Sequence, residues 1–140
     1  MVVDVKKIKL LWTSINDGEK STYTANANYV LDGDRVTFSF MDSRDKENIL
    51  NVKVVSTDVD VYIYQTRRNS VNAMYFKKRE VYEGRYHYNN SYFEMKIITD
   101  EYKKIDNGFI LKYRLWLNGQ LSGEFEQIFE IIEKGDCCEC

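Results

Sequence analysis

The feature that most constrains the fold is the alternation of apolar and polar residues from Gly84 to Thr99. Two alternating arms flank the turn-forming residues Asn89-Asn90-Ser91, and this is the pattern of a β-hairpin. The segments on either side repeat the same succession of strand and turn. We therefore expect the hairpin to be the middle of one continuous meander of antiparallel strands.

The rest of the chain consists of short alternating rows separated by turn signals. Asp17-Gly18, Asp32-Gly33 and Asn118-Gly119 are dipeptides that close hairpins. The polar stretch from Asp42 to Asn48 is predicted to be a longer loop. Successive side chains of a strand point to opposite faces, so each row has one inward face. The rows expected to face inward include Ile8, Leu10 and Trp12, then Val36, Phe38 and Phe40, then Val59, Val61, Ile63, Gln65 and Arg67, then Phe109, Leu111, Tyr113, Leu115 and Leu117, and finally Leu121, Phe125, Phe129 and Ile131.

These segments predict an all-β chain of roughly 8 to 10 strands. Such a set of strands must cover or remove its sheet edges, and a single antiparallel up-and-down β-barrel of the calycin or lipocalin type does so most simply. The periodicity alone fits the core of a β-sandwich equally well. The barrel domain is assigned to residues 1–134, and the tail, residues 135–140, is predicted to be disordered.

Length and composition set further limits. A chain of 140 residues can bury a sizeable core without disulfides. No apolar run approaches the roughly 18 residues of a membrane helix, and Asp4, Lys6 and Lys7 lie where a signal peptide needs its apolar core. We therefore expect a cytoplasmic protein without a membrane partner. Three cysteines confined to the tail form neither a disulfide framework nor a complete zinc site, so no metal or other cofactor is predicted: Cys137, Cys138 and Cys140.

Arg67 is the sharpest candidate for a binding residue, because a guanidinium on an inward row is costly unless its charge is paired or its ligand is an anion. In a barrel, Arg67 could hold a carboxylate or phosphate together with the phenol groups of Tyr86 and Tyr113. The apolar part of such a ligand would lie against Phe93, Met95 and Leu115. The alternative is that Arg67 lies at the barrel rim and bonds to backbone carbonyl groups.

A second candidate is a basic and aromatic surface. Residues 62–96 carry 7 Lys and Arg against 3 Asp and Glu, although the whole chain has a net charge of −2. Nucleic-acid and protein partners use such mixtures for stacking and charge contacts, but ordinary cross-strand pairs on a solvated face are the favoured interpretation. The candidate surface residues are Tyr62, Tyr64, Lys77, Lys78, Arg85 and His87.

No catalytic residue is predicted. His87 is the only histidine, so a serine–histidine–acid triad would have to use it. Its alternation points outward, and no nucleophile motif accompanies it. The same-face acid pairs Asp58 with Asp60 and Glu124 with Glu126 are interpreted as solubilising. The chain is therefore not expected to be an enzyme.

The central hairpin resembles the YwiB-like family of small, uncharacterised bacterial proteins. The spacing that carries the resemblance is Tyr86, Ser91, Phe93, Met95 and Thr99, supported by an arginine at Arg67 or Arg68, the pair Tyr75-Phe76, and Tyr113 with Leu115. The family usually has a glycine at the position of Ser91 and another shortly after the arginine, where this chain has Asn69 and Ser70.

The resemblance implies a calycin-type β-barrel and no established activity. Calycin relatives such as lipocalins and fatty-acid-binding proteins hold small apolar ligands inside the barrel, although a shared fold does not assign a function. The leading hypothesis is a non-enzymatic carrier or sensor that binds a small amphipathic or anionic hydrophobic ligand in the barrel interior, with Arg67 and Tyr113 as the polar anchor. The alternative is a protein- or RNA-interaction module that uses the outer face.

Overall fold

The computed structural model describes residues 5–68, 70–88 and 90–134. The predicted tail with its cysteines and the turn residue Asn89 lie outside these ranges. The described chain has ten strands and no helix: β1 (Val5–Asn16), β2 (Glu19–Asp32), β3 (Arg35–Asp42), β4 (Leu50–Ser56), β5 (Asp60–Arg67), β6 (Ser70–Lys77), β7 (Val81–Tyr88), β8 (Ser91–Ile105), β9 (Gly108–Leu117) and β10 (Gln120–Lys134).

All ten strands belong to one antiparallel sheet with the order β6-β5-β4-β3-β2-β1-β10-β9-β8-β7. Strands that are consecutive in the chain pair with each other, except for β6 and β7. The first and last strands, β1 and β10, also pair. The sheet curls so that its end strands, β6 and β7, meet and nearly close a barrel. The predicted all-β, up-and-down barrel is therefore confirmed.

Two hairpin turns show why the sequence can turn so tightly. Asp17 and Gly18 have φ angles of 49° and 88°, and Asn118 and Gly119 have φ angles of 51° and 81°. Two successive residues with positive φ make a type I′ turn, whose twist matches the twist of the flanking strands. Glycine adopts such angles without steric cost, and Asn and Asp tolerate them better than other residues.

Side chains, and not backbone pairing, hold β6 to β7 where the described barrel closes. The Asn72 amide donates from Nδ2 to the His87 carbonyl oxygen at 3.0 Å, and its Oδ1 accepts from the His87 N–H at 2.6 Å. The Tyr82 hydroxyl donates to the Ala73 carbonyl oxygen at 3.2 Å. A Cβ on Gly84 would lie 2.8 Å from the Tyr82 hydroxyl oxygen, so glycine leaves room for this ring. We refer to this junction as the β6–β7 seam.

Aromatic rings pack across the barrel interior. The ring centroids of Phe76 on β6 and Tyr113 on β9 are 4.7 Å apart, although these strands are not neighbours in the sheet. Phe40 on β3 lies 5.8 Å from Trp12 and 6.4 Å from Phe129, again centroid to centroid. Contacts of this kind join opposite walls of the barrel into one core.

Two predicted inward positions are wrong. Val59 is 58% exposed because β5 begins only at Asp60, so Val59 lies in the preceding turn. Leu121 is 55% exposed because the register of β10 shifts between Leu121 and Gly123. The bulge pairs Leu121 with the outward Trp116, and alternation alone could not reveal the extra residue.

The Thr99 side chain yields a stability prediction. Thr99 is 1% exposed, and its Oγ1 has no hydrogen-bond partner among the described residues. A Thr99→Val variant keeps the shape and removes the unsatisfied hydroxyl, so we expect its free energy of unfolding to rise by about 1 kcal/mol. Urea denaturation measures the change, with Thr24→Val on the exposed face of β2 as the control. A loss of stability for Thr99→Val would contradict the buried, unpaired hydroxyl.

The buried Tyr113 predicts alkaline sensitivity. Burial raises the pKa of Tyr113 to about 12, against an ordinary value of 10.0. The folded state therefore favours the protonated phenol, so this contribution is intact below pH 10 and is lost as the pH rises towards 12. Two pKa units correspond to about 3 kcal/mol of unfolding free energy. Denaturation midpoints measured across this pH range should fall steeply for the parent and less for Tyr113→Phe; equal slopes would contradict the prediction.

Candidate functional site

The candidate site is a pocket at one end of the barrel, where β5 turns into β6 and β7 turns into β8. Its volume is about 360 Å³, within the range of small-molecule sites. We name it the Arg67 pocket; its lining residues are Asn48, Leu50, Gln65, Arg67, Arg68, Ser70, Asn72, Tyr86, His87, Tyr88 and Asn90. No Asp or Glu is among them.

Arg67 lies on the inward row, as predicted, and its Nε atom is buried. This atom has no hydrogen-bond partner among the described residues. Arg67 is the last residue of β5 and lies at the end of the barrel, as the rim interpretation expects, but no described backbone carbonyl group accepts a hydrogen bond from its Nε. A buried donor without a partner loses its hydration without compensation.

Arg44 binds the carboxylate of Asp42, which also attracts Arg67 electrostatically. The charge of Arg67 contributes to a lowered pKa of Asp42, but the largest cause is the hydrogen bonding from Arg44. Arg44 donates from Nε to Asp42 Oδ1 at 3.0 Å and from Nη2 to Oδ2 at 2.8 Å. This bidentate pair uses both carboxylate oxygens, which leaves Arg67 without an ion-pair partner in the described part of the chain.

Several other polar groups of the pocket are uncommitted. Gln65, Ser70, Tyr86 and Tyr88 make no side-chain hydrogen bond to any described residue. Asn72 differs, because its amide is used in the β6–β7 seam. A cluster of free donors around a concave surface is the usual arrangement of a ligand site.

The structure brings together only part of the predicted ligand-binding set. Arg67 and Tyr86 line the pocket, whereas Tyr113, Phe93, Met95 and Leu115 do not. The Tyr113 hydroxyl lies in the core and accepts a hydrogen bond from Gln127 Nε2 at 3.3 Å. The remaining three were predicted to line an apolar tail site: Met95 is buried, Leu115 packs against the core, and Phe93 pairs with Tyr86 across β7 and β8.

Sequence reasoning missed Gln65, Ser70, Asn72 and Tyr88 as pocket residues. A signal existed for Gln65, since it shares the inward row of Arg67. The others come from strands that meet only when the barrel closes. Their proximity depends on contacts between β6 and β7 that local alternation does not encode.

A second pocket of about 350 Å³ opens at the opposite end of the barrel. Its walls include Phe38, Phe109 and Ile131, and Lys104 lies at its edge. Lys104 Nζ is 3.4 Å from Asp58 Oδ1, so this cation already has a carboxylate partner. Among the described residues, this pocket therefore has no buried, unpaired cationic donor comparable to Arg67 Nε.

The predicted basic and aromatic surface lies on both sides of the β6–β7 seam. Tyr62 and Tyr64 stack on the outside of β5, with ring centroids 6.0 Å apart and ring planes at 8°. Tyr75 on β6 extends this cluster, since its centroid is 4.5 Å from that of Tyr62. Lys77 Nζ lies 3.3 Å from Glu80 Oε2, and Lys78 is exposed in the following turn.

The β7 members of this surface are Arg85 and His87. The Arg85 guanidinium lies 4.5 Å from the centroid of Tyr92, and its Nε is 4.0 Å from Glu94 Oε1. Glu94 is the cross-strand partner of Arg85. His87 is exposed and contributes to the Arg67 pocket. Lys77 and Arg85 thus face neighbouring carboxylates, which is the arrangement expected of a solvated sheet face.

Statements about metal-binding and membrane-spanning features concern the described ranges, residues 5–68, 70–88 and 90–134. These ranges contain no group of three or more His, Cys, Asp or Glu side chains placed to hold a metal ion. They also contain no helix that is long and apolar enough to cross a membrane.

Comparisons with known proteins identify a related fold. No protein-family model matches the chain, and no curated protein sequence matches it. The barrel is similar to the crystal structure of the ywiB protein from Bacillus subtilis, with a TM-score of 0.69. The match covers 92% of this chain and 94% of that chain at 14% sequence identity, a level at which the similarity concerns the fold alone. This chain therefore has a YwiB-like β-barrel fold, as its central hairpin implied.

Proposed function

We propose that this chain is a non-enzymatic, calycin-like barrel that binds a small anionic ligand in the Arg67 pocket. The observation that supports the proposal is the buried Arg67 Nε, which has no hydrogen-bond partner among the described residues. A buried N–H donor without an acceptor loses its hydration without compensation, and the Asp42 carboxylate, which attracts Arg67, is already bound by Arg44. An anion from solution would supply the missing hydrogen-bond acceptor and a negative charge next to Arg67.

The proposed position is the mouth of the barrel. Rings such as Phe76 and Tyr113 occupy the interior below it, so the anionic group would contact Arg67 and Tyr86 while the rest of the ligand stays near the pocket rim. In this position the ligand contacts two of the six residues predicted to bind it, Arg67 and Tyr86. The other four belong to the barrel wall or the core.

The test is the thermal stability of Arg67→Gln with and without inorganic phosphate. Phosphate at about 100 times its dissociation constant should stabilise the parent by roughly 2.7 kcal/mol, a Tm increase of about 5–10 °C for a chain of this size. Arg67→Gln should lose this increase. Without phosphate it should be at least as stable as the parent, because it removes a buried Nε–H donor that has no acceptor among the described residues.

Arg35→Gln is the matched control, because Arg35 is exposed and begins β3 at the opposite end of the barrel. Phosphate also stabilises proteins non-specifically, and that effect should be equal in all three proteins. The proposal fails if the parent and Arg67→Gln respond equally to phosphate, sulfate and acetate.

A second candidate is binding of RNA or a protein through the outer tyrosine cluster. The observation that favours it is the stacked pair Tyr62 and Tyr64, because exposed parallel rings can stack with bases. A gel shift with total cellular RNA tests it. A shift that weakens as salt rises would support phosphate contacts, and the absence of a shift at low salt would remove RNA as the partner.

A further inference from the structure

We infer that the ligand of the Arg67 pocket is a phosphate monoester that carries a planar aromatic group, as nucleoside monophosphates do. The inference rests on the proposed function, since it assigns a chemical class to the anion. Three properties of the pocket wall support it. The wall has two neighbouring guanidinium groups, polar side chains that make no hydrogen bond to a described residue, and two tyrosines on the same face of one strand.

The guanidinium groups come from consecutive residues. Neighbours in a strand point to opposite faces, but Arg68 follows the last residue of β5 and has a φ of 42°, and both Arg67 and Arg68 line the pocket. Arg68 Nη2 donates to the Glu47 carbonyl oxygen at 3.0 Å, which anchors it beside the pocket. Two guanidinium groups and no lining carboxylate match a dianion better than a monoanion.

The uncommitted donors distinguish a phosphate from a carboxylate. The side chains of Gln65 and Ser70 make no hydrogen bond to a described residue, and both residues line the pocket with the two arginines. A phosphate monoester presents three terminal oxygens and a charge of about −1.5 to −2 at neutral pH, whereas a carboxylate has two oxygens and one charge. The number of donors therefore fits the phosphate group.

The tyrosines favour a ring next to that group. Tyr86 and Tyr88 are alternate residues of β7, so they share a face, and both line the pocket. Tyr88 is 52% exposed, which places an accessible ring at the mouth. Tyrosine rings stack on planar aromatic groups regardless of the identity of the base.

The test is calorimetric titration of the full chain with AMP, ribose 5-phosphate, adenosine and benzoate. AMP should bind at least about tenfold more tightly than each of the other three, because only AMP combines the dianion with an aromatic base. Arg68→Gln should weaken AMP and ribose 5-phosphate alike. Tyr88→Ala should weaken AMP at least about fivefold and leave ribose 5-phosphate unchanged.

Tyr62→Ala is the control for loss of an exposed tyrosine, since Tyr62 lies on the outside of β5 and does not line the pocket. It should bind AMP like the parent. If ribose 5-phosphate or benzoate binds as tightly as AMP, the assignment of an aromatic phosphate is overturned while anion binding stands. If none of the anions binds, the proposed function fails as well.

Discussion

A Gly108→Ala variant is expected to lose the native fold, or at least about 4 kcal/mol of its free energy of unfolding. A Cβ on Gly108 would overlap the carbonyl oxygen of Phe129 and lie 2.8 Å from its carbonyl carbon. These are backbone atoms of β10, and Phe129 is paired with Phe109 on β9. They cannot move away without breaking the ladder that joins the two strands. Circular dichroism during urea denaturation measures the effect.

Gly119→Ala provides the matched control for this substitution. No atom of the described residues lies within 4 Å of a Cβ at Gly119, so the cost of this substitution comes from the φ of 81°. That conformation costs a non-glycine residue about 1–2 kcal/mol. If Gly108→Ala is no less stable than Gly119→Ala, the close approach of β9 and β10 at Gly108 is contradicted.

An Asn72→Leu variant is expected to lose about 2–3 kcal/mol of unfolding free energy. Leucine has a similar size but cannot form the two hydrogen bonds to the His87 backbone. Asn72 is 6% exposed, so water cannot easily replace its amide. Because β6 and β7 have no backbone pairing among the described residues, the loss should concentrate at the β6–β7 seam. Amide hydrogen exchange should show faster exchange at the His87 N–H.

Asn51→Leu is the control for replacing an asparagine in a strand. Asn51 is exposed on β4, and its side chain has no hydrogen bond among the described residues, so the change should stay within about 0.5 kcal/mol. An Asn72→Leu variant as stable as Asn51→Leu, with unchanged exchange at His87, would show that the Asn72 amide does not hold the seam.

Local alternation was sufficient to predict most of the strands and their order in a meander. Phe38 and Leu111 are buried as expected because each lies on a regular strand in which side-chain direction follows from position alone. Leu121 was misassigned because a bulge adds one residue, and a single extra residue reverses the face. Val59 was misassigned because the strand boundary depends on the turn that precedes it.

The candidate site was harder to predict, since it depends on which strands meet when the barrel closes. Arg67 could be identified from its own row, and Tyr86 from the hairpin. Tyr113 was grouped with them because its side chain was expected to point inward. The inward direction does not tell how far along the barrel axis a residue lies from the pocket. The structure places its hydroxyl beside Gln127 in the core. The seam itself was not predictable, because Asn72 lies in a segment with irregular alternation.

The most direct measurement is the NMR correlation spectrum of the arginine Nε–H groups during titration with inorganic phosphate, sulfate and acetate. The signal of Arg67 is identified by its absence from the spectrum of Arg67→Gln. A buried Nε–H that gains an anionic acceptor should shift in a saturable way with at least one of these anions, while the signal of Arg35 moves little. An Arg67 signal that stays unchanged with all three anions would contradict anion binding in the Arg67 pocket.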